Sequence, residues 1–145
     1  MGERITPNGY SYYEVISAFQ KCVRRGLERE AVFWAVELEG YSDFLLWRRI
    51  QIIASEDIGP ANNQMAILVD LLQRRYYFYK KMSNTANRLF LVHAVLALCR
   101  SPKSREVDEL LCLIYPQVGM GEDLLEIPSM ALDMHTLQGK KMGRG

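Results

Sequence analysis

The spacing of apolar residues constrains this chain more than any other feature: they recur every three or four positions in segment after segment. Val15, Ile16, Phe19, Cys22 and Val23 form one stripe, and Ala31, Trp34, Ala35 and Leu38 a second. Leu46, Ile50, Ile53 and Ala54 make a third, Met65, Leu68, Leu72, Tyr76 and Tyr79 a fourth, and Val107, Leu110, Leu111 and Ile114 the last. Residues so spaced share one face of an α-helix and are scattered over both faces of a strand. No segment alternates with period two between hairpin turns. The pattern therefore predicts an all-α, single-domain antiparallel bundle of about six helices joined by short loops.

Helix punctuation supports that reading. Thr6-Pro7-Asn8-Gly9 has turn chemistry, and Ser11 with Glu14 three residues on has the form of a capping box. Gly26 and Gly40 are expected to stop the first two helices, and Ser42 or Asp43 to cap the third. Ile58-Gly59-Pro60 breaks the pattern before a long fourth helix from about Asn62 to Lys81. Ser83-Asn84 restarts a fifth, Thr85 to Arg100, so apolar all round that it is expected at the bundle centre. Pro102 suits the first turn of a sixth helix, and Pro116 is expected to end regular structure. The implied division is an N-terminal extension over 1–11, a helical domain over 12–117 and a flexible tail over 118–145.

Composition narrows the class further. An apolar content of 49% with 24% charged residues excludes a disordered chain. No apolar run approaches the roughly 18 residues of a membrane span, and the first residues contain no apolar signal core, so no membrane partner is expected. Cys22, Cys99 and Cys112 form no CxxC pair and fall within helical patterns, which reads as small buried thiols and a cytosolic location. Net charge is +1 but uneven: the acids from Glu106 to Asp133 are accompanied by no Lys or Arg, and a basic tail with Lys140, Lys141 and Arg144 follows. Such asymmetry suits electrostatic partners or self-association.

Catalytic signatures are missing from the sequence. There is no GxxxxGK[ST] loop, no zinc spacing, and only His93 and His135 as imidazole bases, with His93 expected in the core. No cofactor is implied. Glu56 and Asp57 are the one acidic pair worth weighing. Adjacent side chains diverge, so ion pairing with Arg48 and Arg49 at a helix end is favoured over a metal-dependent nucleotide-processing site. The basic candidates are Arg24, Arg25, Arg48, Arg49, Arg74, Arg75, Lys80, Lys81, Lys103 and Arg105, all near helix ends. Gathered at one end of the bundle they would bind phosphates; otherwise they are solvated ends that complement helix dipoles. Phe33, Phe44, Trp47, Tyr77 and Phe78 lie off the main stripes and are the candidates for an interface, the alternative being wide stripes in a closed bundle.

A family resemblance adds to this. Tyr13-Glu14-Val15-Ile16-Ser17-Ala18 with Lys21 and Arg24 resembles the Y-D-x-I-S-A-x-x-K-S-x-R opening of the C-terminal helical region of the MgsA/RarA replication-associated recombination AAA+ ATPases. Ala31-Val32-Phe33-Trp34-Ala35 is similar to that family's A-x-Y-W-L-A. Arg48-Arg49-Ile50, followed by Ile53-Ala54-Ser55-Glu56-Asp57-Ile58-Gly59, resembles its A-R-R-L and I-A-S-E-D-I-G. Ser101-Pro102-Lys103-Ser104 and the Gly139-Lys140-Lys141-Met142-Gly143 tail match as well. Cys22 stands where the family usually has Ser, and Pro60-Ala61-Asn62-Asn63 departs from L-A-D-P. The resemblance implies a fold like a clamp-loader collar, homotetramer assembly, and work near DNA and single-strand-binding protein. It makes Ser55, Glu56, Asp57 and Gly59 a structural motif. Without Walker motifs here, ATPase activity is not implied. The function expected is non-catalytic oligomerisation and partner binding; the alternative is an accessory subunit that joins and regulates a full-length AAA+ ATPase.

Overall fold

The computed structural model describes residues 4–82 and 85–144, and among them every regular element is helical. By internal contacts the chain divides into two units, one ending at Leu110 and the other beginning at Leu111. The division expected at 117/118 thus sits within the helix that the boundary crosses.

In the first unit, α1 (Tyr12–Arg24), α2 (Glu28–Tyr41), α3 (Asp43–Ile53), α4 (Gln64–Lys80) and α5 (Asn87–Arg100) pack around one core. α1 lies along α2, α4 along α5, and α2 also meets α3 and α5. Phe19, Leu38, Leu46, Trp47, Ile50, Ile53, Leu72, Tyr76, Leu91 and Leu98 are its largest buried side chains. Burial of such side chains contributes on the order of 1.5–3 kcal/mol each. The restart expected at Ser83-Asn84 lies outside the described residues.

Local chemistry explains several boundaries. Gly26 adopts φ +70°, and the bonds Gly26 N–H to Val23 C=O (3.0 Å) and Leu27 N–H to Cys22 C=O (2.9 Å) close α1 in a Schellman motif. Ser11 occupies the cap position of α1 but makes no side-chain cap bond, whereas the Ser42 hydroxyl accepts from Leu45 N–H at 3.2 Å and caps α3. Gly40 does not stop α2. The helix runs on to Tyr41, and a Cβ at Gly40 would lie 3.0 Å from Pro7 Cγ, so the missing side chain admits the N-terminal turn. Buried Glu37 holds that turn through Asn8 N–H (2.8 Å) and the Asn8 amide (2.5 Å).

Four other expectations are corrected. Trp47 is fully buried against Tyr76 (ring centroids 5.2 Å apart) and is a core residue, because the α3 stripe is wide enough to take it. α5 is not central on all sides: Leu91, Ala94, Val95 and Leu98 face inward, whereas Leu89 and His93 are exposed. Pro102 does not start the sixth helix, since residues 102–105 run free of helix before α6 (Glu106–Met120). Pro116 does not end it either. A proline removes one helical hydrogen bond, and the helix continues to a second Schellman ending at Gly121, φ +67°.

In the second unit the chain leaves α6, makes a short 3-10 turn (Ser129–Ala131) and ends in α7 (Leu137–Lys141). Thr136 Oγ1 accepts from Gly139 N–H at 2.9 Å and caps α7, so the tail has structure of its own. Its apolar residues, however, are on the surface. Cys112 is exposed, in contrast to half-buried Cys22 and buried Cys99.

Candidate interaction surfaces

The Ser55-Glu56-Asp57-Ile58-Gly59 motif forms a single π-helical turn, Ala54–Ile58, at the end of α3. Gly59 adopts φ +47°, ψ −128°, a conformation closed to side-chain-bearing residues, and a Cβ there would meet Val107 Cγ2 at 3.0 Å. The chain then enters a 3-10 turn, Gly59–Asn62. This geometry turns Asp57 inward until it is fully buried.

A buried carboxylate needs charge and hydrogen-bond partners. Arg24 Nε donates to Asp57 Oδ1 at 3.0 Å and Gln20 Nε2 to Oδ2 at 2.8 Å, while Arg105 Nε approaches Oδ1 at 3.6 Å. Glu56 accepts from Gln20 at 3.2 Å and lies 4.0 Å from Arg105. Ser104 N–H bonds the Asp57 carbonyl at 2.8 Å, tying the Ser101–Arg105 segment to the motif. The motif therefore pins α1, α3 and the strand-like link to α6 together. The helix-end pairing expected with Arg48 and Arg49 is not formed; the partners come from distant sequence. Among the described residues no group of three His, Cys, Asp or Glu could hold a metal ion, and the arginines beside Glu56 and Asp57 oppose a cation.

The basic candidates separate into three groups. Arg24 and Arg105 serve the pin, Lys80 pairs with Asp43 at 2.8 Å, and Lys103 Nζ donates to the carbonyls of Cys99 (2.9 Å) and Ser101 (2.6 Å) at the end of α5. Burial lowers the pKa of Lys103. Arg25, Arg74, Arg75 and Lys81 are exposed. Arg48 and Arg49 of α3 meet Arg4, a residue that sequence reasoning passed over, around a pocket of about 260 Å³ shared with Tyr12 and Tyr13. Ile16 and Leu45 complete its wall.

Arg4 is placed there by backbone pairing, Tyr12 N–H to Arg4 C=O at 2.8 Å, and its guanidinium sits 5.6 Å from the Tyr12 ring centre. Arg49 Nη1 donates to Gln20 Oε1 at 3.3 Å, but its Nε is buried with no partner. Among the described residues, no carboxylate pairs with any of these three arginines. Burial raises the pKa of the Tyr12 phenol, and Arg49, Arg4 and Arg48 counter the rise. The doublet at Arg48-Arg49 was legible; Arg4 and Gln20 had no signal in the sequence, because a lone turn arginine and a helix glutamine are ordinary.

The apolar candidates also separate. Phe33, Phe44 and Phe78 are exposed and Tyr77 is half-buried against the core. Burial and nearby Asp43 push the Tyr77 phenol up to about 12. The densest exposed apolar run lies elsewhere, on α6 and the tail: Leu110, Leu113, Ile114, Tyr115, Val118 and Leu125, the last 90% exposed.

Fold and site together define a helical domain organised around one arginine-clamped acidic turn. The chain belongs to the MgsA/RarA family as the C-terminal part of an AAA+ ATPase: the family described as the C terminus of MgsA AAA+ ATPases matches residues 29–145. It is 31% identical to replication-associated recombination protein A of Bacillus subtilis strain 168, over 95% of this chain and 32% of that protein. It is 30% identical to the AAA domain-containing protein Rv2559c of Mycobacterium tuberculosis H37Rv, over 91% of this chain and 29% of that protein. The chain thus spans about a third of the length of these curated relatives.

Proposed function

We propose that this domain assembles copies of its ATPase and performs no bond chemistry itself. One observation carries the reading: α6 and the segment after it expose a run of large apolar side chains that includes Leu113, Tyr115, Val118, Leu125 and Met130. Folded monomers rarely show contiguous apolar patches beyond a few hundred Å² unless a partner covers them. Pairing these faces between copies removes them from water at roughly 25 cal/mol per Å². Such pairing gives a closed homo-oligomer, and the tetramer that the family resemblance implies is favoured.

Within the same proposal, DNA near a replication fork is contacted by arginines not consumed inside the domain, single-strand-binding protein is a neighbour, and the site of action is the cytosol. No helix among the described residues is long and apolar enough to cross a membrane.

Light scattering behind size exclusion, over a range of concentrations, tests the assembly. A tetramer that Leu113→Glu with Val118→Glu converts to monomer, at unchanged helicity, is the expected result. A monomer at every concentration would refute the reading.

A further inference from the structure

The geometry points to a nucleotide-sized seat for single-stranded nucleic acid at the pocket of Arg4, Arg48, Arg49, Tyr12 and Tyr13. This deepens the DNA part of the proposed function and rests on it, but shares no residue with the apolar surface proposed for assembly.

Three arginines line one pocket, and none of them has a carboxylate partner among the described residues. Guanidinium forks match phosphate geometry, and Arg49 Nε is a buried donor still lacking an acceptor. At about 260 Å³ the pocket is smaller than the roughly 300–1,000 Å³ of drug-sized ligand sites, so it takes one phosphate and one ring and no whole dinucleotide. Tyr13 is 60% exposed and meets Tyr12 edge-on (73° between planes, 5.3 Å between centres), which leaves ring surface for a base to stack on. A duplex keeps its bases paired inside and cannot offer that ring. An acidic peptide matches the charge but lacks the regular alternation of anion and flat ring that a single strand repeats at every nucleotide.

The seat is also held in place. Gln20 donates its amide to Asp57 and Glu56 and accepts from Arg49, so the acidic turn fixes Gln20 and Gln20 fixes Arg49. The Glu56-Asp57 pair is thereby linked to the pocket through a positioning residue and not through chemistry of its own.

The test is fluorescence anisotropy of a labelled oligothymidine at low salt, with the unlabelled duplex and a polyglutamate peptide as competitors. Arg48→Ala with Arg49→Ala, and separately Tyr13→Ala, should each weaken binding about tenfold while helicity is kept, and Tyr13→Trp should restore it. The double arginine variant should also flatten the salt dependence by about one phosphate per guanidinium lost. Arg74→Ala with Arg75→Ala, outside the pocket, should weaken binding by clearly less than the pocket pair does, as expected of diffuse phosphate contacts. Equal losses from both arginine pairs would overturn the seat while leaving diffuse DNA contact standing. No binding by the unaltered chain would overturn DNA contact altogether, and stronger competition by polyglutamate than by oligothymidine would assign the pocket to a peptide. The oligomeric state, measured in parallel, reports on assembly alone.

Discussion

The unit ending at Leu110 and the unit beginning at Leu111 have similar apolar sequence but opposite fates. In the first, Phe19, Leu38, Trp47 and Leu72 are wholly out of water. In the second, Leu113, Tyr115, Val118 and Leu125 are exposed, and among the described residues Gly139 is its one buried residue. A stripe needs a facing stripe. The first unit supplies five helices that cover one another, whereas α6 and the short α7 are too few to enclose a core of their own. Apolar pattern alone therefore marks what must be covered, and the count of neighbouring helices decides whether the cover comes from the same chain.

The comparison breaks most sharply at the core. Trp47→Ala should destabilise the first unit by about 3–5 kcal/mol, since it leaves a large cavity beside Tyr76. Leu125→Ala should leave the unfolding free energy of a monomer unchanged within about 0.5 kcal/mol. Urea unfolding followed by circular dichroism measures both, and comparable losses would erase the contrast between the units.

Next in size is the buried acid. Asp57→Asn should cost about 2–3 kcal/mol, below the 3–5 of a fully enclosed pair because Arg24 and Arg105 are each about a third exposed. The same variant should weaken Arg49's hold through Gln20, visible as a shift of the Arg49 side-chain resonance in NMR. An unshifted resonance would cut the link between the acidic turn and the pocket.

Thiol labelling sharpens the contrast without a large energy change. Burial pushes the Cys99 thiol up to about 11, so at neutral pH it should react slowly. Exposed Cys112 should react fast in a monomer and become protected as protein concentration rises, if copies meet through α6. Fast reaction at every concentration would place the interface elsewhere.

The smallest effect is set by pH. Hydrogen bonds from Thr6 and Asn8 hold the Glu37 carboxyl below its ordinary value of 4.5. A carboxyl depressed in the folded state stabilises the fold above its unfolded pKa and ceases to do so as pH falls through the folded value. The Asn8 amide should therefore lose hydrogen-exchange protection on acidification below about pH 4, before the bundle itself unfolds. Loss of protection at neutral pH would mean that Glu37 does not hold the turn.

Much of the architecture was legible from residues alone. The stripes placed α1 to α4 within a few positions, and Gly26 marked its C-terminus because only a residue without Cβ takes φ +70° cheaply. The misses share a cause. Gly40 and Pro116 carry breaker chemistry, yet both lie inside helices. A breaker raises local cost by a limited amount, and packing outweighs it. Likewise the off-stripe position of Trp47 said nothing of whether a second helix would close over it.

Sequence by itself determined the helical class, the family and the identity of the acidic motif, because period, turn residues and a short fixed word are local properties. Tertiary structure decided that Asp57 is paired by Arg24 and Arg105 and not by the nearby Arg48 and Arg49. It also decided that Arg4 joins the latter two at a single pocket and that α6 is left uncovered. Those outcomes depend on which distant segments meet, and Coulomb attraction and burial act on distance in space, not on distance along the chain.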